Sequence, residues 1–298
     1  MSSELERLIN RVEQVFARFE ATLPQAHLTP DWKKGLAYRW RRRANAGFLQ
    51  PVAHLHKIRL SDLQGIDDQI KLIEQNTRQF MEGLTANNVL LTGARGTGKS
   101  SLVKALLNKF SAKGLRLIEV DKQDLMDLPD IVDLIADVPY KFILFCDDLS
   151  FDADEPGYKA LKVILDGSIS ATSDNLLIYA TSNRRHLMPE FMQENLETKY
   201  LGEEIHPGET VEEKISLSER FGLWVSFYPF DQDEYLTIVD YWLGELGIAE
   251  KERGATARNE ALQWALTRGS RSGRVAWHFA RDWAGRHKIG PGSPRKKS

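Results

Sequence analysis

The chain has 298 residues, a formal net charge of −2 at neutral pH, 42% hydrophobic and 28% charged residues, and one cysteine. This is the balance of an ordinary globular protein with material for two or three small domains, and it excludes attraction of polyanions to the molecule as a whole. A lone cysteine excludes an intrachain disulfide and a cysteine-cluster metal site, and no apolar run approaches the ~20 residues that span a bilayer.

The first residues, Met1-Ser2-Ser3-Glu4-Leu5-Glu6, lack the charge and apolar run of a secretion signal, so a cytoplasmic protein without membrane contact is expected. Residues 3–19 read as an amphipathic helix: Leu5, Leu8, Ile9, Val12, Val15, Phe16 and Phe19 recur at helical spacing, and Ser3 and Glu6 form a capping box. Pro24 and Pro30 interrupt this pattern. Residues 32–46 then mix Lys33, Lys34, Arg39, Arg41, Arg42 and Arg43 with Trp32, Tyr38 and Trp40. Basic and aromatic side chains interleaved in this way suit phosphate contact with base stacking, a local nucleic-acid contact through residues 32–43. A solvated helical face, or docking on the rest of the protein, accounts for the same residues. Residues 1–56 are therefore expected to form a helical N-terminal extension.

A long helix is expected over about 67–83, followed by strands at 89–92, 115–120, 142–146, 176–181 and 224–228. Helical patterns separate most of them, which predicts an α/β domain over 57–230 with a five-stranded parallel sheet. Past Pro229 the periodicity is helical at 233–246, 259–268 and 273–283, so residues 231–286 are expected to form a helical C-terminal lid. Residues 287–298 end in Gly290-Pro291-Gly292-Ser293-Pro294-Arg295-Lys296-Lys297-Ser298, the composition of a disordered basic tail.

The strand at 89–92 runs into Gly93-Ala94-Arg95-Gly96-Thr97-Gly98-Lys99-Ser100, which matches G-x-x-x-x-G-K-[ST] at every fixed position. Glycines let successive backbone N–H groups turn inward around a phosphate chain, where a Cβ would intrude. Lys99 reaches the β- and γ-phosphates in such a loop, the Ser100 hydroxyl joins a Mg2+ shell, and the helix opening at Ser101 aims its N-terminal dipole at the anion. A nucleoside triphosphate is the ligand this segment implies.

The buried run at 142–146 ends in Asp147 and Asp148. Asp147 is placed to organise Mg2+ through its water shell, and Asp148 to polarise an attacking water. Many hydrolases of this type carry Glu at the second position; Asp is one methylene shorter, so slow hydrolysis or dependence on a partner is expected. Cys146 belongs to the same apolar run and reads as a buried inert thiol. Asn183, at the end of the next strand, could hold the water or sense the γ-phosphate, or merely cap a turn. Arg220, ahead of the last strand, is a candidate arginine finger or half of a surface ion pair. Arg271 and Arg274 open the last helix, and either could reach the γ-phosphate or serve the helix end.

Taken in order, these residues resemble the AAA+ ATPases over about 58–285. The resemblance makes residues 93–100 the Walker A loop, 142–148 the Walker B strand, Asn183 the sensor 1 position, Arg220 the arginine finger and Arg274 the sensor 2 position. It adds Ile66 and Ser101 to the nucleotide contacts, and implies ATP and Mg2+ as ligands, a homo-oligomer and a macromolecular client. The stretches at 86–91, 176–187 and 217–230 are similar to a bacterial AAA+ family described only as a domain of unknown function. Ser218-Glu219-Arg220-Phe221-Gly222 is also similar to a segment of the bacterial Holliday-junction branch-migration motor. Residues 121–127 contain neither the aromatic residue nor the glycine of a protein-threading pore loop. An ATPase that remodels or loads a partner is the leading expectation, with a slowly hydrolysing molecular switch as the alternative. A small-molecule kinase fits less well, because no acceptor-site insertion is evident.

Overall fold

The computed structural model describes residues 11–13, 30–43, 46–150, 156–166, 174–183, 200–201, 204–205 and 219–289. In chain order the elements are β1 (Ala37–Arg43), β2 (Ala46–Pro51), α1 (Asp67–Met81), β3 (Val89–Gly93), α2 (Lys99–Phe110), β4 (Leu115–Glu119), α3 (Leu128–Ile135) and β5 (Lys141–Cys146). They continue with α4 (Pro156–Asp166), β6 (Leu176–Ser182), β7 (Tyr200–Leu201), β8 (Glu204–Ile205), β9 (Leu223–Phe227), α5 (Gln232–Glu245), α6 (Ala255–Arg268) and α7 (Gly273–Ile289). Strands β7 and β8 form a separate two-residue ladder.

The main sheet has the order β2-β1-β4-β5-β6-β3-β9, parallel except for the antiparallel β1–β2 pair. Side chains of a strand alternate between faces, and these strands bury both. Leu91, Ile143, Phe145 and Tyr179 pack with α1 and α2 through Ile73, Phe80, Leu102, Leu106 and Phe110. Leu90, Phe142, Leu144 and Ile178 face the opposite layer, with Leu128 and Ile131 of α3 and Tyr158 and Leu161 of α4. Cys146 is buried there, and burial pushes its thiol up to about 12, the inert state expected of it.

The sheet has seven strands instead of the expected five, because a hairpin replaces the helical N-terminal extension between residues 37 and 51. The reason is a two-residue period beneath the run of charge. Tyr38 and Trp40 point into the core, while Arg39 and Arg41 pair with Glu119 and Asp121, each at 2.7 Å. Arg42 lies 3.4 Å from Asp127, whose carboxylate also accepts the Trp40 indole N–H at 2.9 Å. The α/β layer thus starts at Ala37, ahead of the boundary expected at residue 57. Three of the arginines considered for nucleic acid are tied to carboxylates of this chain, and Trp32 stacks edge-on against Phe142. Docking on the core is the reading of residues 32–43 that these contacts fit. The helix expected over 3–19 lies outside the described residues apart from a helical 11–13; of the disordered tail expected over 287–298, residues 287–289 are the end of α7 and the rest lies outside the described residues.

Three C-terminal helices form as expected, but α6 starts at Ala255, ahead of residue 259, and α7 runs to Ile289, past residue 283. Asp231 caps α5 by accepting the Glu234 N–H at 2.8 Å while Glu234 accepts the Asp231 N–H at 2.8 Å, a reciprocal capping box. Helix α6 stops at Gly269, which takes a left-handed φ of 64°. The core of the three helices is continuous with that of the sheet through Phe227, Phe230 and Tyr235. No helix among the described residues is long and apolar enough to cross a membrane.

Candidate functional site

At the carboxyl end of β3 the backbone turns sharply, with φ of 123° at Gly93, 77° at Gly96 and 102° at Gly98. These are left-handed values that glycine adopts without steric cost. A Cβ on Gly96 would lie 2.8 Å from the Ser272 hydroxyl oxygen, and one on Gly98 would lie 3.2 Å from the Ile66 side chain. The loop is thus a cradle bounded by the turn ahead of α7 on one side and by the segment ahead of α1 on the other. Gly98 leads into α2, whose first turn is Lys99-Ser100-Ser101 and carries no acidic residue. The N–H groups and dipole of that helix end therefore face the cradle with no acidic side chain of their own turn to neutralise them.

Lys99 is only 6% exposed, and its ammonium donates to the carbonyl oxygens of Gly93 at 2.6 Å and Ala94 at 2.7 Å, and to Asn183 Oδ1 at 3.1 Å. Burial pulls this amine down from 10.5 to about 8, against the opposing pull of Asp147 and Asp148. Asn183 in turn donates through its amide to Asp148 Oδ1. Asp148 is the only non-glycine residue with positive φ among those described, at 54°, and its N–H donates to Thr181 Oγ1 at 2.9 Å. Asp147 Oδ1 accepts from both Thr181 Oγ1 and Ser100 Oγ, each at 2.6 Å. Lysine, amide, two carboxylates and two hydroxyls thus form one hydrogen-bonded circuit around the mouth of the cradle.

The circuit borders a pocket of about 970 Å3. Of the residues expected from sequence, Ile66, Arg95, Gly96, Thr97, Gly98, Lys99, Ser100, Ser101, Asp147, Asp148, Asn183 and Arg274 line it. Gly93 and Ala94 lie behind the lining and serve as acceptors for Lys99. Both arginines considered at the start of the last helix are exposed, and of the two only Arg274 is in the lining. Arg220 is also outside it; its guanidinium is paired with Asp166 at the end of α4.

Several lining residues carried no motif. Thr181 bridges the two aspartates, and a polar residue at the buried end of a strand is the signal that could have found it. Trp242 of α5 and Trp277 of α7 stand with ring centroids 4.6 Å apart, and Asp62 and Phe230 complete that wall. The fit to a nucleotide with Mg2+ follows from the chemistry present. A loop whose glycines leave no room for Cβ atoms faces a buried lysine, with a hydroxyl and a carboxylate already in contact beside it. Ser100 and Asp147 are the oxygen donors that would hold the metal, a hard cation served by oxygen ligands.

A family profile described as "Protein of unknown function (DUF815)" matches residues 33–287. No curated protein sequence matches the chain. Among solved structures, the chain is similar to the Aeropyrum pernix Orc1 protein in complex with DNA, with 14% identity and a TM-score of 0.53. That likeness covers 75% of this chain and 60% of the Orc1 chain, so this protein spans less than two thirds of that neighbour's length. The Thermotoga maritima RuvB Holliday junction branch migration motor matches with 14% identity and a TM-score of 0.40, over 75% of this chain and 71% of that one. The Orc1 likeness shows the fold alone.

Proposed function

The chain belongs to the DUF815 family, and from that premise we propose that it is an AAA+ ATPase that binds MgATP in the glycine cradle and hydrolyses it to remodel or load a macromolecular partner. The observation carrying this reading is the circuit from Lys99 through Asn183, Asp148, Thr181 and Asp147 to Ser100. Lys99 would exchange its two loop carbonyls for phosphate oxygens, which favour its protonated form. Ser100 and Asp147, already in contact, would hold Mg2+, which would supply positive charge against the phosphates. Asp148 accepts a proton from the attacking water while Asn183 fixes the position of both, and Arg274 reaches the pocket from the lid.

A second reading rests on Asp148 itself. Its carboxylate is shorter than glutamate, and its backbone is held at φ 54° by the Thr181 hydrogen bond. A base so placed favours a tightly binding, slowly hydrolysing switch. In either case Asp147→Asn is expected to weaken Mg2+-dependent ATP binding about tenfold, the effect of losing one charged contact. Asp148→Asn should instead retain MgATP and lose turnover by a factor on the order of 10² or more, as for a displaced general base. Binding by calorimetry and phosphate release on the same samples separate the two effects. Wild-type protein that binds MgATP but releases no phosphate at any concentration would favour the switch. Identical behaviour of the two variants would remove the roles assigned to the pair.

A further inference from the structure

Asp62 is 7% exposed, sits in the short turn ahead of α1 and lines the pocket without belonging to the phosphate cradle. A carboxylate this buried is costly unless its oxygens are satisfied, and these are. Its Oδ2 accepts the Arg59 N–H at 2.8 Å; its Oδ1 accepts Arg59 Nε at 2.9 Å and the Tyr241 hydroxyl at 2.7 Å. Burial opposes ionisation, but the Arg59 and Tyr241 hydrogen bonds outweigh it and hold the carboxyl below its ordinary range. Arg59 reaches on to Glu245 at 2.9 Å, one helical turn beyond Tyr241 on α5. The segment ahead of the core thus grips one face of a lid helix at two successive turns.

That grip bears on the pocket. Tyr241 packs edge-on against Trp242 at 5.1 Å, and Trp242 packs on Trp277, which lies one turn along α7 from Arg274. We infer that Asp62 is a positioning residue: through Tyr241 it latches α5 to the core, keeps Trp242 and Trp277 in the pocket wall, and sets how long a bound nucleotide stays. This rests on the nucleotide-binding reading given above. A purely local role for Asp62, capping its own turn through Arg59, predicts no dependence on the lid.

Tyr241→Phe separates these roles, because it deletes the bond to the lid, keeps the ring against Trp242 and leaves the turn cap intact. Stopped-flow release of a fluorescent N-methylanthraniloyl-ADP is expected to be about tenfold faster in this variant, the size of one lost hydrogen bond to a charged group. Affinity for inorganic tripolyphosphate, which occupies only the cradle, should not change. Amide hydrogen exchange across residues 232–245 of the nucleotide-free protein should rise as the helix loses its anchor. Wild-type protein that holds the nucleotide, together with release rates unchanged in both Tyr241→Phe and Asp62→Asn, would overturn the latch alone. Wild-type protein that binds neither ligand would overturn the nucleotide reading. Exchange then judges the latch, and unchanged protection of α5 in Tyr241→Phe would overturn it as well.

Discussion

Arg220→Ala is expected to slow ATP hydrolysis by a factor on the order of 10³ while leaving ATP affinity unchanged. The expectation follows from the AAA+ resemblance, which makes this residue an arginine finger, and its place in the fold decides which pocket it can serve. Strand β9 runs parallel to β3, with Leu223 opposite Val89 and Phe227 opposite Gly93, so Arg220 lies at the end of the sheet away from the cradle. Four residues of strand separate those ends by about 13 Å, beyond what a side chain starting ahead of Leu223 can bridge. Its own pocket is thus out of reach, and we propose that Arg220 serves the pocket of a neighbouring subunit; in the single chain its guanidinium is paired with Asp166. Mixing Arg220→Ala with Lys99→Ala protein should restore activity, because one supplies an intact pocket and the other an intact finger. No recovery at any mixing ratio, with co-assembly verified by light scattering, would make Arg220 a structural ion-pair residue only.

Gly93→Ala is expected to destabilise the fold by at least about 3 kcal/mol, the range of a strained backbone compounded by a steric clash. Gly93 has φ 123°, and a Cβ there would lie 1.9 Å from the carbonyl oxygen of Phe227 and 2.8 Å from its carbonyl carbon. Both obstacles are backbone of the neighbouring strand, so no side chain can swing aside. Gly83 provides the control: its φ is 74°, but nothing lies within 4 Å of the added carbon. Gly83→Ala should cost only about 1–2 kcal/mol, the strain of the left-handed conformation. Urea denaturation of the two variants measures the difference. Equal losses would mean that the β3–β9 contact yields, and that the cradle is not fixed by its neighbour.

Much of this architecture could be read from residue pattern alone, and the exceptions have physical causes. Five parallel strands were legible because long apolar runs alternate with helical periodicity, and the cradle because its glycines, lysine and serine each answer a separate demand of phosphate binding. Strand β1 was obscured by composition: arginines at 39, 41, 42 and 43 suggest a solvated or nucleic-acid face, although Tyr38 and Trp40 alternate with them at strand spacing. The acidic partners of Arg39 and Arg41 lie 80 residues away, a pairing that no local pattern announces. The Asp62–Tyr241 contact joins residues 179 apart for the same reason. Arg271 and Arg274 could not be separated by sequence because both belong to one short turn, whereas the orientation of α7 brings only Arg274 to the pocket.

Calorimetric titration of MgATP into wild-type and Lys99→Ala protein, repeated at pH 7 and pH 9, tests the assignment of the cradle most directly. Removing the charged contact should weaken binding about 30- to 150-fold, the equivalent of ~2–3 kcal/mol. The protonated amine is the form that holds phosphate, and burial pulls it down to about 8 in the unliganded protein. Above that value binding must first recover a proton, so wild-type affinity should fall about tenfold per pH unit, while the Lys99→Ala variant lacks this dependence. Undiminished binding by Lys99→Ala, with the same pH profile as wild type, would contradict the account.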